Sequence, residues 1–362
     1  MPWSAIALPL ADAEGALARL DERLRTSPVR AGWVARTHFA EACAGLSLEG
    51  ALARVEDLVL HDAGMDVRAP TREVTRAHAI LRARRRIDAE KPEWALSREG
   101  LAALRGQAGG GVASSDDLEP LTLEDENHEA EPDALDPVDD RALDDLDSAA
   151  GAVDAAAARS HRLIRDLPPA PRDPLLYDLD WDEEERLSAW LALRAQTGGL
   201  PPLLAGILLW DAWVTIEPLQ HRPWLGALLV AAHLREKGKT RAHLLCFNSG
   251  LRLVARERRR AVDGAARIAA GLEAVRAAAE AGAGDHERWL MARRRLERKL
   301  AGRRSTSRLA ALIDLILAHP VANARLIARE LGVTPRAAQN LVSELGLREA
   351  TGRGRYRAWG IV

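Results

Sequence analysis

The run Ala324-Arg325-Leu326-Ile327-Ala328-Arg329-Glu330-Leu331-Gly332-Val333-Thr334-Pro335-Arg336-Ala337-Ala338-Gln339-Asn340-Leu341-Val342-Ser343-Glu344-Leu345-Gly346 decides the fold of the C-terminal end. Apolar residues recur three and four apart on both sides of Gly332, which is the pattern of two amphipathic helices broken by a tight turn. Thr334-Pro335 opens the second helix with a hydroxyl at the cap and a proline just inside, and Gly346 closes it. Upstream, 306–317 has the same periodicity and is ended by His319-Pro320, which adds a helix before the pair. Downstream, Leu347-Arg348-Glu349-Ala350 and Arg355-Tyr356-Arg357-Ala358-Trp359 flank Thr351-Gly352-Arg353-Gly354, the pattern of two short strands around a glycine-rich tip.

This order is helix-turn-helix spacing followed by a wing, and the segment 305–362 resembles the winged helix-turn-helix domains of bacterial transcription regulators. Ala338, Leu341, Val342 and Leu345 face the core of such a domain, which turns Thr334, Arg336, Gln339, Asn340 and Ser343 outward. Arginine can bridge guanine O6 and N7, Gln or Asn can bridge adenine N6 and N7, and Ser or Thr can hold phosphate. Arg353, Arg355 and Arg357 on the wing complete the candidate DNA-binding set, while Tyr356 and Trp359 are expected inside. From Glu287 to Val362 sixteen Arg and Lys stand against six Asp and Glu, a net of +10, which attracts phosphate. The resemblance implies double-stranded DNA as the partner, and the operator symmetry of such regulators implies a homodimer. The competing use of a winged helix is protein docking.

The rest of the chain reads as helical. Its 362 residues exceed what one core usually serves, and apolar periodicity marks helices at 11–25, 29–44, 48–62 and 71–87, with Ser47 and Thr71 as candidate caps. Between 109 and 150 fifteen acidic residues face one base, Arg141, so a partly disordered acidic linker is expected there. Helical patterns resume at 181–196, 203–215, 223–237, 241–260 and 262–300, and 203–215 is apolar nearly all round, as in the central helix of a bundle. Arg288, Arg293, Arg294, Arg295, Arg298, Lys299, Arg303 and Arg304 make 287–304 a basic connecting helix. No apolar run is long enough to cross a bilayer, and Met1-Pro2-Trp3-Ser4 has no signal-like pattern, so no membrane partner and a cytoplasmic location are expected. Cys43 and Cys246 supply neither a disulfide framework nor a zinc site, and His221, His233 and His243 lack ligand spacing, so no metal and no cofactor are expected.

The body carries a second pattern. Ile216-Glu217-Pro218-Leu219-Gln220-His221-Arg222-Pro223-Trp224-Leu225-Gly226-Ala227 lies between two apolar helices and resembles the signature loop of Fic-domain proteins. In that family the loop reads His-Pro-Phe-x-Asp-Gly-Asn-Gly-Arg and serves nucleotide transfer to a hydroxyl, with a histidine base, an acid on Mg2+ and glycines cradling phosphate. Here Glu217 stands in the histidine position and the glycines are replaced. A second stretch, Glu41-Ala42-Cys43-Ala44-Gly45-Leu46-Ser47-Leu48-Glu49-Gly50, is similar to the Ser-x-x-x-Glu-Gly inhibitory helix of many Fic proteins, with Gly45 in the serine position. The resemblance implies a Fic-like scaffold whose eroded positions are Glu49, Glu217 and His221 and which no longer catalyses. The organisation also resembles an alphaproteobacterial family of helix-turn-helix proteins of undefined role. The expected chain is therefore mainly α. A Fic-like, two-lobed helical body (1–108 and 151–286) is interrupted by the linker and joined through 287–304 to the winged helix-turn-helix, and the whole acts as a sequence-specific DNA-binding regulator of transcription or plasmid functions. The alternatives are a surviving AMP transferase, or an adaptor or antitoxin that binds protein.

Overall fold

The structure is a computed structural model that describes residues 3–64, 69–106, 181–300, 308–349 and 357–360. The acidic linker expected at 109–150, residues 151–180, and Arg303, Arg304, Arg353, Arg355 and Tyr356 lie outside the described residues. The body opens with α1 (Trp3–Arg25), α2 (Arg30–Leu48), α3 (Val55–Asp62), α4 (Arg72–Ala89), a 3-10 turn (Trp94–Leu96) and α5 (Arg98–Gly106). It resumes with α6 (Glu183–Gln196), α7 (Pro202–Ile216), α8 (Leu225–Glu236), α9 (Phe247–Leu253), α10 (Arg256–Arg259) and the 34-residue α11 (Gly264–Glu297). The C-terminal part holds α12 (Leu309–Ala318), β1 (Ala322–Asn323), α13 (Ala324–Leu331), α14 (Pro335–Leu345) and β2 (Ala358–Trp359). The chain is thus mainly α.

Short polar side chains start several of these helices. Thr71 Oγ1 accepts from the Val74 N–H, the Asp182 carboxylate from those of Glu184 and Glu185, and the Asp263 carboxylate from those of Ala265 and Ala266. Ser47 departs from expectation. Its hydroxyl donates to the Ala44 carbonyl 2.8 Å away, inside α2, and the next helix waits until Val55 because the chain turns at Gly50 with φ 85°.

One core spans the insertion. Ile6, Leu46, Ile80 and Leu81 pack in the same buried cluster as Leu203, Ile207, Trp213, Leu228 and Val275, so residues on either side of the acidic stretch complete a single interior and not the two lobes expected. α1 and α9 lie on α11, α2 on α4, and α7 on α8. Edge-to-face pairs Trp190–Trp213 at 5.3 Å and Trp210–Phe247 at 5.4 Å pack within it.

The expected helix at 241–260 is replaced by a largely buried irregular segment, 240–246, followed by α9 and α10. Its backbone is satisfied from elsewhere. Arg84, 1% exposed, donates to the carbonyls of Leu244 (2.9 Å) and Leu245 (3.0 Å), and Arg30 donates to that of Ala242 (2.9 Å). The Asp21 carboxylate accepts from the N–H groups of Arg241 and Ala242, both at 2.9 Å. Glu41, wholly buried, accepts from Asn248 N (2.7 Å), Ser249 N (2.9 Å) and Ser249 Oγ (2.8 Å), which caps α9. These charged partners hold the segment out of a helix, since each backbone bond they make replaces a helical one.

Removing the Glu41 carboxylate leaves three buried or half-buried donors unsatisfied, so Glu41→Ala is expected to lower unfolding stability by on the order of 3 kcal/mol. An unchanged urea midpoint would contradict the capping role. Burial lowers the pKa values of His38 and His243, with Asp88 and Asp21 partly opposing, so the folded state favours both imidazoles neutral. Their contribution is complete above the ordinary histidine pKa of about 6.5 and is lost as pH falls below it. The urea midpoint is expected to drop between pH 7.5 and pH 5.5, and a rise over that interval would refute the assignment.

Candidate nucleic-acid interface

The C-terminal domain builds itself from local signals. The Asn323 side chain accepts from the Leu326 N–H at 2.7 Å to start α13, and Thr334 Oγ1 accepts from the Ala337 N–H at 3.2 Å to start α14. Gly332 and Gly346 close these helices in the left-handed conformation, at φ 63° and 62°. Ala338, Val342 and Leu345 are buried against Leu312, Ile316, Ile327 and Leu331, while Leu341 is half-buried. β1 pairs antiparallel with β2, Ala322 opposite Trp359, and Glu349 bridges to Trp359 from the other side. Residues 358–359 are therefore stitched to the strand between the first two helices, and Trp359 seals the core on that side.

The five side chains turned outward by the sequence pattern are all exposed: Arg336, Gln339, Asn340 and Ser343 share one face of α14, and Thr334 sits at its N-cap. The body leaves that face open, because α14 packs chiefly on α12 and α13. Thr334 has two tasks, since its oxygen caps the helix while its hydrogen remains for another acceptor. Arg357 is exposed but lies 3.6 Å from Glu349, so its charge is partly answered within the domain.

The boundary drawn at 286/287 falls inside one helix: α11 runs unbroken from the body through Glu297, as the helical pattern at 262–300 implies, and Trp289, Leu290 and Leu296 pack into the core of the C-terminal domain. The basic set on this helix divides. Arg293 pairs with Glu297 and with Asp314 of α12, each at 2.8 Å, and Lys299 donates to the Leu345 carbonyl at 2.6 Å, a cation at the C-terminus of α14. Arg288 pairs with Asp285. Arg294, Arg295 and Arg298 are exposed on the last turns beside Met291.

Two residues without an expected role fasten the domain to the body. Arg36 of α2 donates to the carbonyls of Leu317 (2.6 Å), Ile316 (3.2 Å) and His319 (3.0 Å), taking up the open C-terminus of α12, and its guanidinium stacks 4.0 Å over Trp289. Burial lowers its pKa to about 10. Gly32, one turn earlier, lies so close to α12 that a β-carbon there would fall 1.7 Å from the Leu317 carbonyl oxygen. A glycine inside a helix was the visible signal, but its reason, a carbonyl 285 positions away, is invisible in sequence.

The loop between α7 and α8 shows how the body uses its other motif. Glu217 ends α7 in the left-handed conformation at φ 48° with its side chain exposed, and His221 is exposed too. Arg222 turns into the protein and donates to the Leu104 carbonyl, tying the loop to α5. Gly226 is spent on packing, since a β-carbon there would lie 2.4 Å from the Trp213 ring. Glu49, at the end of α2, pairs with Arg76. Burial raises its pKa, and Arg76 with the backbone N–H of Trp224 pulls it back only in part. Glu49 is therefore close to the far end of the loop, while Glu217 and His221 face solvent. No cluster of potential metal ligands occurs among the described residues, and no helix there is long and apolar enough to cross a membrane.

Fold and surface together define a helical body carrying a C-terminal helix-turn-helix. Residues 309–362 match a family model described as an HTH DNA binding domain, and residues 175–301 match one described as a protein of unknown function (DUF1612). The uncharacterized protein y4cF of Sinorhizobium fredii (strain NBRC 101917 / NGR234) is 43% identical over 376 aligned positions, covering 99% of this chain and 97% of that protein. The chain belongs to the y4cF family.

The docking geometry gives a direct test. Gly32→Ala or Arg36→Ala is expected to release the C-terminal domain and to speed tryptic cleavage after Arg303, Arg304 or Arg308 by on the order of tenfold. Cleavage at the wild-type rate in both variants would show that these contacts do not hold the domain.

Proposed function

We propose that the chain binds double-stranded DNA in a sequence-specific manner through Thr334, Arg336, Gln339, Asn340 and Ser343, and thereby regulates transcription or plasmid functions. The observation that carries this reading is the exposed polar face of α14, on a domain matched by the HTH DNA binding model and left open by the body. α14 lies in the major groove, with Arg336, Gln339 and Asn340 on base edges and Ser343 and Thr334 near phosphate. Arg353 and Arg355 of the wing grip the flanking backbone, Arg357 adds to them, and Arg294, Arg295 and Arg298 extend the positive surface along α11. Two copies bind as a homodimer on a symmetric site.

The body is read as a Fic-like scaffold without a reaction to perform. Glu217 capping a helix in solvent, Arg222 turned inward and Gly226 filled by an indole leave the loop serving packing where the resemblance would require a phosphate cradle. Under this reading, incubation with labelled ATP and Mg2+ leaves the protein and lysate proteins unlabelled. Label that appears and is lost in Glu217→Ala would establish the transferase instead.

Fluorescence anisotropy on a duplex selected from genomic fragments tests the interface. Affinity is expected to fall with a log–log salt slope of about −0.9 for each phosphate neutralised. Arg336→Ala is expected to cost about 1–3 kcal/mol on the cognate duplex and relax its preference, whereas Arg353→Ala weakens all duplexes alike and reduces the slope by about one. Wild-type affinity in both variants would refute the placement.

A further inference from the structure

A second basic surface lies on the body, beside the start of α11. Residues 252–260 hold five arginines against one acid, Glu257. Arg258 pairs with Glu273 of α11, and Arg259 donates to the Val254 carbonyl at 3.1 Å. Arg252, Arg256 and Arg260 are exposed, with no ion pair or side-chain hydrogen bond among the described residues. Their charges accumulate instead of cancelling: burial lowers the pKa of Arg259, and Arg260 and Arg256 lower it further against the pull of Glu257. The segment is also fastened in place. Arg267 grips Asp211 of α7 through Nε (2.6 Å) and Nη2 (3.0 Å), while its Nη1 donates to the carbonyls of Ala261 and Val262, both at 3.0 Å. Guanidinium groups held in this way suit phosphate oxygens, which accept from both arms of the fork.

α11 relates this surface to the C-terminal domain. Glu273, where Arg258 is held, and exposed Met291 stand five full turns apart on one helix, so they face the same way at a separation of about 27 Å. Exposed Arg294 and Arg298 follow on that side, one and two turns further on, and neither is paired among the described residues. The carboxylates between the two ends are answered, Glu280 by Arg276 at 2.9 Å and Glu287 by Arg23 at 3.1 Å. One side of α11 is therefore bordered at both ends by uncompensated arginines, with balanced charge between them.

We propose that residues 252–260 form a second DNA contact, in which Arg252, Arg256 and Arg260 hold backbone phosphates of the duplex that α14 reads, with the outward side of α11 lying along the flank between. This rests on the reading of α14 as the DNA-binding helix and adds to it a longer footprint. The span of about 27 Å corresponds to about 8 base pairs, so the contact falls on DNA beyond the arginines at the end of α11. Being made to phosphate, it strengthens binding without reading bases.

Fluorescence anisotropy of the full chain on one selected duplex at two lengths tests it. The short form is the shortest duplex on which Arg336→Ala still weakens binding, and the long form adds about 12 base pairs on each side, enough to cover the span. The wild type is expected to bind the long form at least about fivefold tighter, with a salt slope steeper by about one for each added phosphate contact. The triple variant Arg252→Gln, Arg256→Gln, Arg260→Gln is expected to bind the short form as the wild type does, which also reports an intact fold, and to gain nothing from the long one. A variant that keeps the length gain, or one weakened equally on both lengths, would overturn this contact alone. A wild type that binds neither duplex would overturn the reading of α14 and this contact with it. Arginine-dependent binding of a polyglutamate peptide without any length gain would assign the surface to an acidic protein and overturn the proposal as well.

Discussion

The fold depends on satisfying a stretch of buried backbone that belongs to no helix or sheet. Residues 240–246 run through the interior, where each unpaired N–H or C=O would cost on the order of 1–3 kcal/mol. Charged side chains from the first ninety residues meet them: Asp21 from α1, Arg30 from α2 and Arg84 from α4, with Glu41 closing the start of α9. Buried charge is tolerated here because each group is hydrogen-bonded. The arrangement makes the residues before the acidic stretch indispensable to those after it, which explains how a long insertion can sit inside one core.

The same helix that carries Arg30 and Glu41 also carries Gly32 and Arg36, so α2 serves the interior on one side and the C-terminal domain on the other. α11 adds a second, continuous connection, its first turns packed in the body and its last in the helix-turn-helix core. With docking through α2, α11 and α12, the outward face of α14 stays open. That division of labour separates holding the domain from presenting it.

Much of this was legible in the residues. Helix periodicity, the Thr334-Pro335 start and the two glycine stops fixed the C-terminal helices to within a few positions, because caps and apolar spacing act locally. The outward positions of α14 followed from the same periodicity. The helix expected at 241–260 failed for the opposite reason, as its backbone partners lie about 160 to 220 positions away and leave no local pattern. Ser47 failed as a cap because Gly50 turns the chain first. The boundary at 286/287 was drawn from charge within a helical pattern already legible at 262–300, and the apolar residues Trp289, Leu290 and Leu296 carry that helix into the C-terminal core. The resemblance in the loop at 216–227 identified residues worth locating, and their use in capping and packing could be seen only in three dimensions.

Amide hydrogen exchange of the full chain, with and without a bound duplex, tests the central claim most directly. New protection is expected in peptides covering 334–348 and 350–357, with exchange in α7 and α8 unchanged. Protection confined to the body, with 334–348 exchanging as in the free protein, would contradict it.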